Sequence, residues 1–196
     1  MQKSHEVAHP VSDLIRNRRS VRSFSGEPVS ESKIRSLFEA TRWAPSSSNE
    51  QPWFYLYVTS DQTELWNKYV DCLNDNNKIW AKGASVLIFS MARKQFTRHA
   101  IDNAHALYDL GGANSFLAIQ AVELGLQVRQ MAGYNMEKVK QNLSIPDNFI
   151  PGVFIAVGYP GDVASLPEFL QVREAAPRER FLQEEFVAKG IFPRSE

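Results

Sequence analysis

The chain has 196 residues, 43% hydrophobic and 22% charged, with 22 Lys and Arg against 22 Asp and Glu. That length reads as one domain spanning 1–196, able to bury roughly 70% of its unfolded surface. Zero net charge argues against a general nucleic-acid binder or a polybasic membrane binder, and the single Cys72 excludes an internal disulfide, a cysteine zinc site and a cysteine-ligated iron–sulfur cluster.

In chain order, residues 1–10 are polar and read as loose, and MQKSHEVAHPVSD carries no apolar core of a secretory signal. Ser12 reads as a helix N-cap with Asp13 in the first turn, then Arg16 to Phe24 as a basic knot running into an extended segment. Ser30 caps a second helix, whose Ile34, Leu37, Phe38 and Thr41 keep the i, i+3, i+4, i+7 stripe until Ala44-Pro45. SSSNEQP is loop, and Phe54 to Val58 is a buried strand. Residues 62–80 are predicted as one helix, with Leu65, Trp66, Tyr69, Val70 and Leu73 on one side. Val86 to Phe89 is a second strand, 103–125 the longest helix, Leu126 to Met131 a third strand, 136–143 a short helix and Val153 to Val157 a fourth strand. The long helix is small-sided at Gly111, Gly112, Ala113 and Ala118, which invites close approach of another helix. From Pro160 no period shows until Glu179 to Ala188. The whole reads as α+β in three layers with a central mixed sheet. No run approaches the ~20 apolar residues of a membrane span, and a reduced, cytoplasmic setting is the default.

The common cofactor and nucleophile signatures are missing. No three glycines are spaced as GxGxxG, and neither GK[ST] nor GxSxG occurs. His5 and His9 are four apart but lie in the loose start and read as solvated, and His99 and His105 lack the HExxH spacing, so no metal site is assigned.

Two segments carry chemistry. In Arg18-Arg19-Ser20-Val21-Arg22, an extended backbone would point Arg18, Ser20 and Arg22 the same way, a grip for a phosphate; a solvated basic turn explains it about as well. A second alternation, Arg178 and Arg180 in PRER, could close the same cage, and a charged helix start fits it equally. Between Ala44 and Trp53, APSSSNEQPW is stiffened by two prolines and lined by hydroxyls and amides that suit a ligand rich in ring nitrogens.

LIRNRRSVRSFSGEPVSESKI followed by ATRWAPSSSNEQPWFYLYV resembles the nitroreductase family of FMN-dependent enzymes. AVELGL, the strand after it, Gly133-Tyr134 and the late PRER continue the likeness over nearly the whole chain, and RRSVR with PSSxNxQPW in this order is its most specific part. The resemblance implies a three-layer α/β/α nitroreductase-like fold and a homodimer with two FMN sites at its interface. It implies that Arg18, Ser20, Arg22, Arg178 and Arg180 bind the FMN phosphate, and that Arg19 meets the flavin. Pro45, Ser46, Ser47 and Asn49 would contact the flavin from the neighbouring subunit, Gly133 and its peptides would lie near flavin N5, and Asn76 and Lys78 would fall at the ring's pyrimidine edge. The small face of the 103–125 helix would be the dimer seam. Ala132 stands where several members carry an acid, and 91–102, with Phe96, Arg98 and His99, falls where the family often forms a lid.

The activity so implied is ping-pong transfer from NADH or NADPH through the flavin to small, flat, electron-poor acceptors such as nitroaromatics or quinones, the flavin carrying the chemistry. Two alternatives stay open: another flavin reaction on the same scaffold (dehydrogenation, dehalogenation or flavin fragmentation), and a flavin-binding protein without turnover.

Overall fold

The computed structural model describes residues 2–192. Helix α1 (Asp13–Asn17) is a single turn. Helix α2 (Glu31–Arg42) is capped by the Ser30 hydroxyl, which accepts the Lys33 N–H, and it buries Ile34, Leu37 and Thr41. Strands β2 (Trp53–Thr59), β3 (Val86–Arg93), β4 (Gln127–Met131) and β5 (Phe149–Gly158) form one sheet in the order β2-β3-β5-β4. Every neighbouring pair in it is antiparallel. The expected mixed character reduces, among the described residues, to a parallel bridge from Ser20 to Val128. Apolar runs locate strands but do not fix their direction; that is set by the connections.

The sheet is covered on both faces, and the alternation of buried side chains along its inner strands divides the core. Leu87, Phe89, Phe154 and Ala156 face α3 (Thr63–Cys72), α4 (Asp75–Ala81), α6 (Met136–Leu143) and α7 (Glu168–Ala175) through Tyr69, Trp80, Val139 and Leu170. Val86, Ile88, Ile155 and Val157 face α2 and α5 (Ala106–Glu123) through Ile34, Leu37, Leu117 and Ala121. These are the three layers read from the sequence.

Three expectations are corrected. The helix predicted over 62–80 is two helices, because Leu73 is extended, with ψ 153, and the Asn74 side chain accepts the Asn77 N–H as the N-cap of α4. Helix α7 was unread, since Leu170 is its only buried side chain, while Phe169 and Val172 are exposed. In place of a helical period over 179–188, β6 (Arg180–Phe181) pairs with β1 (Lys3–Ser4) and a 3-10 turn follows at Gln183–Glu185.

At the middle of β3 the register with β5 shifts between Phe89 and Met91. Ser90 replaces the missing ladder bonds with its side chain: its hydroxyl donates to Val153 O (2.9 Å) and accepts the Val153 N–H (3.1 Å). The Asn114 amide donates to the same hydroxyl and accepts from the Tyr55 hydroxyl, so a buried polar chain ties β2, α5, β3 and β5 together.

Candidate functional site

The basic knot lies along the outer side of β4, where the Ser20–Val128 bridge holds it extended. Arg18 donates to the Ser20 hydroxyl at 3.3 Å, so these two side chains do share a face. Arg178 donates to the carbonyls of Arg16 and Arg18, which brings the late PRER segment onto the knot. Burial first, and then the guanidiniums of Arg178 and Arg180, hold Arg18 below its ordinary pKa. Arg178 is lowered likewise, by burial and then by Arg180 and Arg19. None of the ion pairs among the described residues involves Arg18, Arg19, Arg178 or Arg180. A cluster of cations that repel one another, with Arg18 and Arg178 partly withdrawn from water and no carboxylate in ion-pair contact, is an arrangement that an anion would relieve. Beside it a cleft of about 240 Å³ is lined by Asn17, Arg18, Arg19, Ala118, Val122 and Gly125, among others.

Arg22 turns elsewhere. Its guanidinium donates to the Glu174 carboxylate at 2.9 Å, with side chains only 15% and 8% exposed. Arg19 also reaches α7, through the Glu174 carbonyl at 3.3 Å. Arg129 joins this second group from β4, donating to Ser20 O and stacking on Trp80 with 5.4 Å to the ring centroid. Burial, opposed in part by Glu174, lowers its pKa, with Arg22 and Arg173 acting in the same sense as burial.

Pro45, Ser46, Ser47 and Asn49 lie at the other end of α5. The backbone there is unusual: Ser48, Asn49 and Gln51 have φ of 53, 54 and 52°. The Ser46 hydroxyl accepts the Gln51 N–H at 2.9 Å, and the Ser47 N–H donates to Asp109 at 3.1 Å. Asp109 stands thirteen residues before Val122 of the cleft, about 20 Å along a helix rising 1.5 Å per residue. The polar loop and the cleft thus sit toward opposite ends of α5.

Gly133 follows β4. Its carbonyl accepts from the Asn74 N–H and the Asn77 side-chain amide. A Cβ at this position would sit 2.3 Å from the Asn74 side-chain nitrogen, so any residue but glycine would have to push aside the side chain that caps α4. Asn76 is exposed, and Lys78 is engaged by Asp71 and Asp75. The 94–102 loop closes on itself through Phe96 and Ile101 and is tied to the polar loop by Glu50, which accepts the Thr97 N–H at 2.8 Å.

Of the small helix face, Ala113, Ala118 and Ala121 pack into the core, while Gly111 has open space beside it in a strip with exposed Leu107, Tyr108 and Phe116. Sequence reasoning missed Asp109, Arg129 and Glu174. Asp109 had a signal, being an acid three residues after Ala106 and four before Ala113 on the inward side of α5.

The comparisons with known proteins fit this geometry. A crystal structure described as an oxidoreductase containing FMN is 33% identical, with TM-score 0.91, covering 100% of both chains. A protein of Archaeoglobus fulgidus, provisionally named an NADH dehydrogenase/NAD(P)H nitroreductase, is 26% identical over 76% of this chain and 84% of its own. An NADPH-dependent oxidoreductase of Staphylococcus saprophyticus is 26% identical over 80% of this chain and 67% of its own. The family model described as the nitroreductase family matches residues 15–159, and with its knot, polar loop and three-layer fold the chain belongs to that family.

Proposed function

We propose that this protein binds FMN and passes reducing equivalents from NADH or NADPH to flat, electron-poor acceptors such as nitroaromatics or quinones. The family and the similarity to an FMN-containing oxidoreductase support a flavin oxidoreductase. The observation that carries the reading is the cluster of Arg18, Arg19, Arg178 and Arg180, without an ion-paired carboxylate, in which Arg18 reaches the Ser20 hydroxyl. Its planar, positively charged guanidiniums, with the Ser20 hydroxyl beside Arg18, suit a phosphoryl group such as the FMN phosphate. FMN bound there supplies the redox chemistry. In this reading Arg18, Ser20, Arg178 and Arg180 hold the phosphate, and Arg19 lies beside it. Arg22 balances Glu174 at the inner edge, and the peptides at Gly133 flank the ring. Pro45, Ser46, Ser47 and Asn49 reach the ring of the neighbouring protomer. No side chain is assigned a proton transfer, which water can perform.

The decisive experiment is an absorbance spectrum of the purified protein, then anaerobic titration with NADPH. A flavin spectrum that bleaches stoichiometrically is expected; a colourless protein after incubation with FMN would remove the proposal. In steady state, one shared face for donor and acceptor requires parallel double-reciprocal lines, and intersecting lines would refute it.

The reading also includes a homodimer, in which the polar loop at one end of α5 serves the flavin held by the cation cluster of the neighbouring protomer. The exposed strip of Leu107, Tyr108, Gly111 and Phe116 offers a seam, and Phe186, Ile191 and Phe192 add exposed apolar surface near the C-terminus. Sedimentation is expected to give a dimer at micromolar concentration, and a folded monomer there would sink the shared-site picture. We place the protein in the cytoplasm; among the described residues, no helix is long and apolar enough to cross a membrane.

A further inference from the structure

Among the described residues that are buried as a whole, Asp109 is the only charged one, at 4% exposure, and the redox chemistry gives it no task. A carboxylate is kept inside a protein when buried donors compensate it. Here the donor is a backbone N–H, that of Ser47 at 3.1 Å, and it opens the polar loop. Directly after it come Ser48, Asn49 and Gln51, three non-glycine residues with φ near +53°. Such conformations persist only where the surroundings over-determine them. Side chains restrain the loop at four places, Asp109 on Ser47, the Ser46 hydroxyl on Gln51, Glu50 on Thr97 and the Gln51 amide on Asn49 O, beside the turn bonds from the Asn49 N–H to Ser46 O and from the Glu50 N–H to Ser47 O. The second and third are between exposed groups, open to competition from water. The first is anchored inside the fold, on a helix whose next inward side chains are Leu110 and Ala113.

We propose that Asp109 is a positioning residue that holds the 46–51 loop in its left-handed shape and so presents Ser46, Ser47 and Asn49 for binding. It rests on the reading that this loop addresses the flavin ring of a neighbouring protomer. It acts through a backbone amide and touches neither cofactor nor substrate.

The test uses the full-length protein and the variants Asp109→Asn and Asp109→Ala. Asparagine keeps an acceptor oxygen for the Ser47 N–H and loses the charge; alanine loses both. Hydrogen exchange of a peptide covering residues 44–53 is followed without flavin, and FMN and riboflavin are each titrated by fluorescence. Exchange in the loop is expected to speed up about tenfold or more in Asp109→Ala and less in Asp109→Asn, with β3 and β5 unchanged. Riboflavin and FMN affinity should then fall by a common factor, because the loop meets the ring and not the phosphate. Unchanged loop exchange in both variants would overturn the proposal. So would exchange that rises evenly over the whole chain, which marks a general support of the fold. A loosened loop with both flavins binding as before would uphold Asp109 as the loop's anchor and overturn the assignment of the loop to the flavin. Should Asp109→Ala fail to fold, Asp109→Asn carries the same comparison.

Discussion

Replacing Arg18 by alanine is expected to weaken FMN binding by about tenfold to a hundredfold while leaving riboflavin binding nearly unchanged. A charge-assisted hydrogen bond contributes roughly 1.5–3 kcal/mol, and each ~1.4 kcal/mol is tenfold in affinity. Arg18 is the central member of the cluster: it reaches Ser20 directly, and its pKa is depressed first by burial and then by both Arg178 and Arg180. Arg180→Ala should show the same contrast between the two flavins, since Arg180 shares that field. Arg93 lies outside it, over the Phe149 ring at 5.7 Å, so Arg93→Ala should change neither affinity. Arg22→Ala is the informative exception. Read from the sequence alone it belongs to the cage, but it is ion-paired with a Glu174 side chain only 8% exposed. Its loss is therefore expected to cost about 1–3 kcal/mol of folding stability by stranding that carboxylate, before any effect on phosphate. Fluorescence titration of apoprotein with each flavin, beside urea denaturation of each variant, separates the two. If Arg18→Ala weakens FMN and riboflavin equally, the cluster does not hold a phosphate.

How far the sequence could be read depended on what each residue does. Strands β3 and β5 are covered on both faces, so their apolar runs announce them; α2 is covered on one face and announces itself by its stripe and the Ser30 cap. The break between α3 and α4 was hidden because buried Tyr69, Val70 and Leu73 continue an apolar side across it. The Asn74 cap is a local signal inside a periodic stretch, and the period outweighed it. Helix α7 was invisible because one buried leucine makes no period. In the site, Arg18 and Ser20 on one face followed from strand geometry and the Ser20–Val128 bridge agrees. The same geometry put Arg22 with them. It missed that a flexible guanidinium goes to the nearest buried carboxylate, and Glu174 sits on the helix that was not read. Arg178 and Arg180 were legible only as an echo of the first motif, and their approach to Arg18 spans 160 residues of chain. Asp109 was passed over because an acid within a long helix reads as solvated until its face is known.

The second large effect lies beneath Gly133. Phe154 is fully buried where β5 meets the ring cluster, with centroids 4.8 Å from Phe89, 5.5 Å from Tyr134 and 6.2 Å from Tyr69. Removing such a ring costs its transfer free energy, the cavity left behind and the edge-to-face contacts, together about 3–5 kcal/mol. For a chain of this length that corresponds to a fall in Tm on the order of ten degrees. Phe154→Ala is expected to show it, while Phe154→Leu, which keeps most of the volume, should cost roughly 1.5 kcal/mol. The loss should also be felt at the site. Tyr134 follows Gly133, packs on Phe154 and fixes its hydroxyl to Gly152 O at 2.9 Å, so a cavity there loosens the peptides assigned to the flavin ring. Saturating FMN should then recover less stability in Phe154→Ala than in the parent, because ligand stabilisation grows with [L]/Kd and Kd has risen. Thermal denaturation of both proteins, with and without FMN, gives the two quantities. A loss under about 1 kcal/mol would mean the cluster collapses around the gap, and an equal gain from FMN in both proteins would mean that Gly133 is held by Asn74 and Asn77 without help from the rings below.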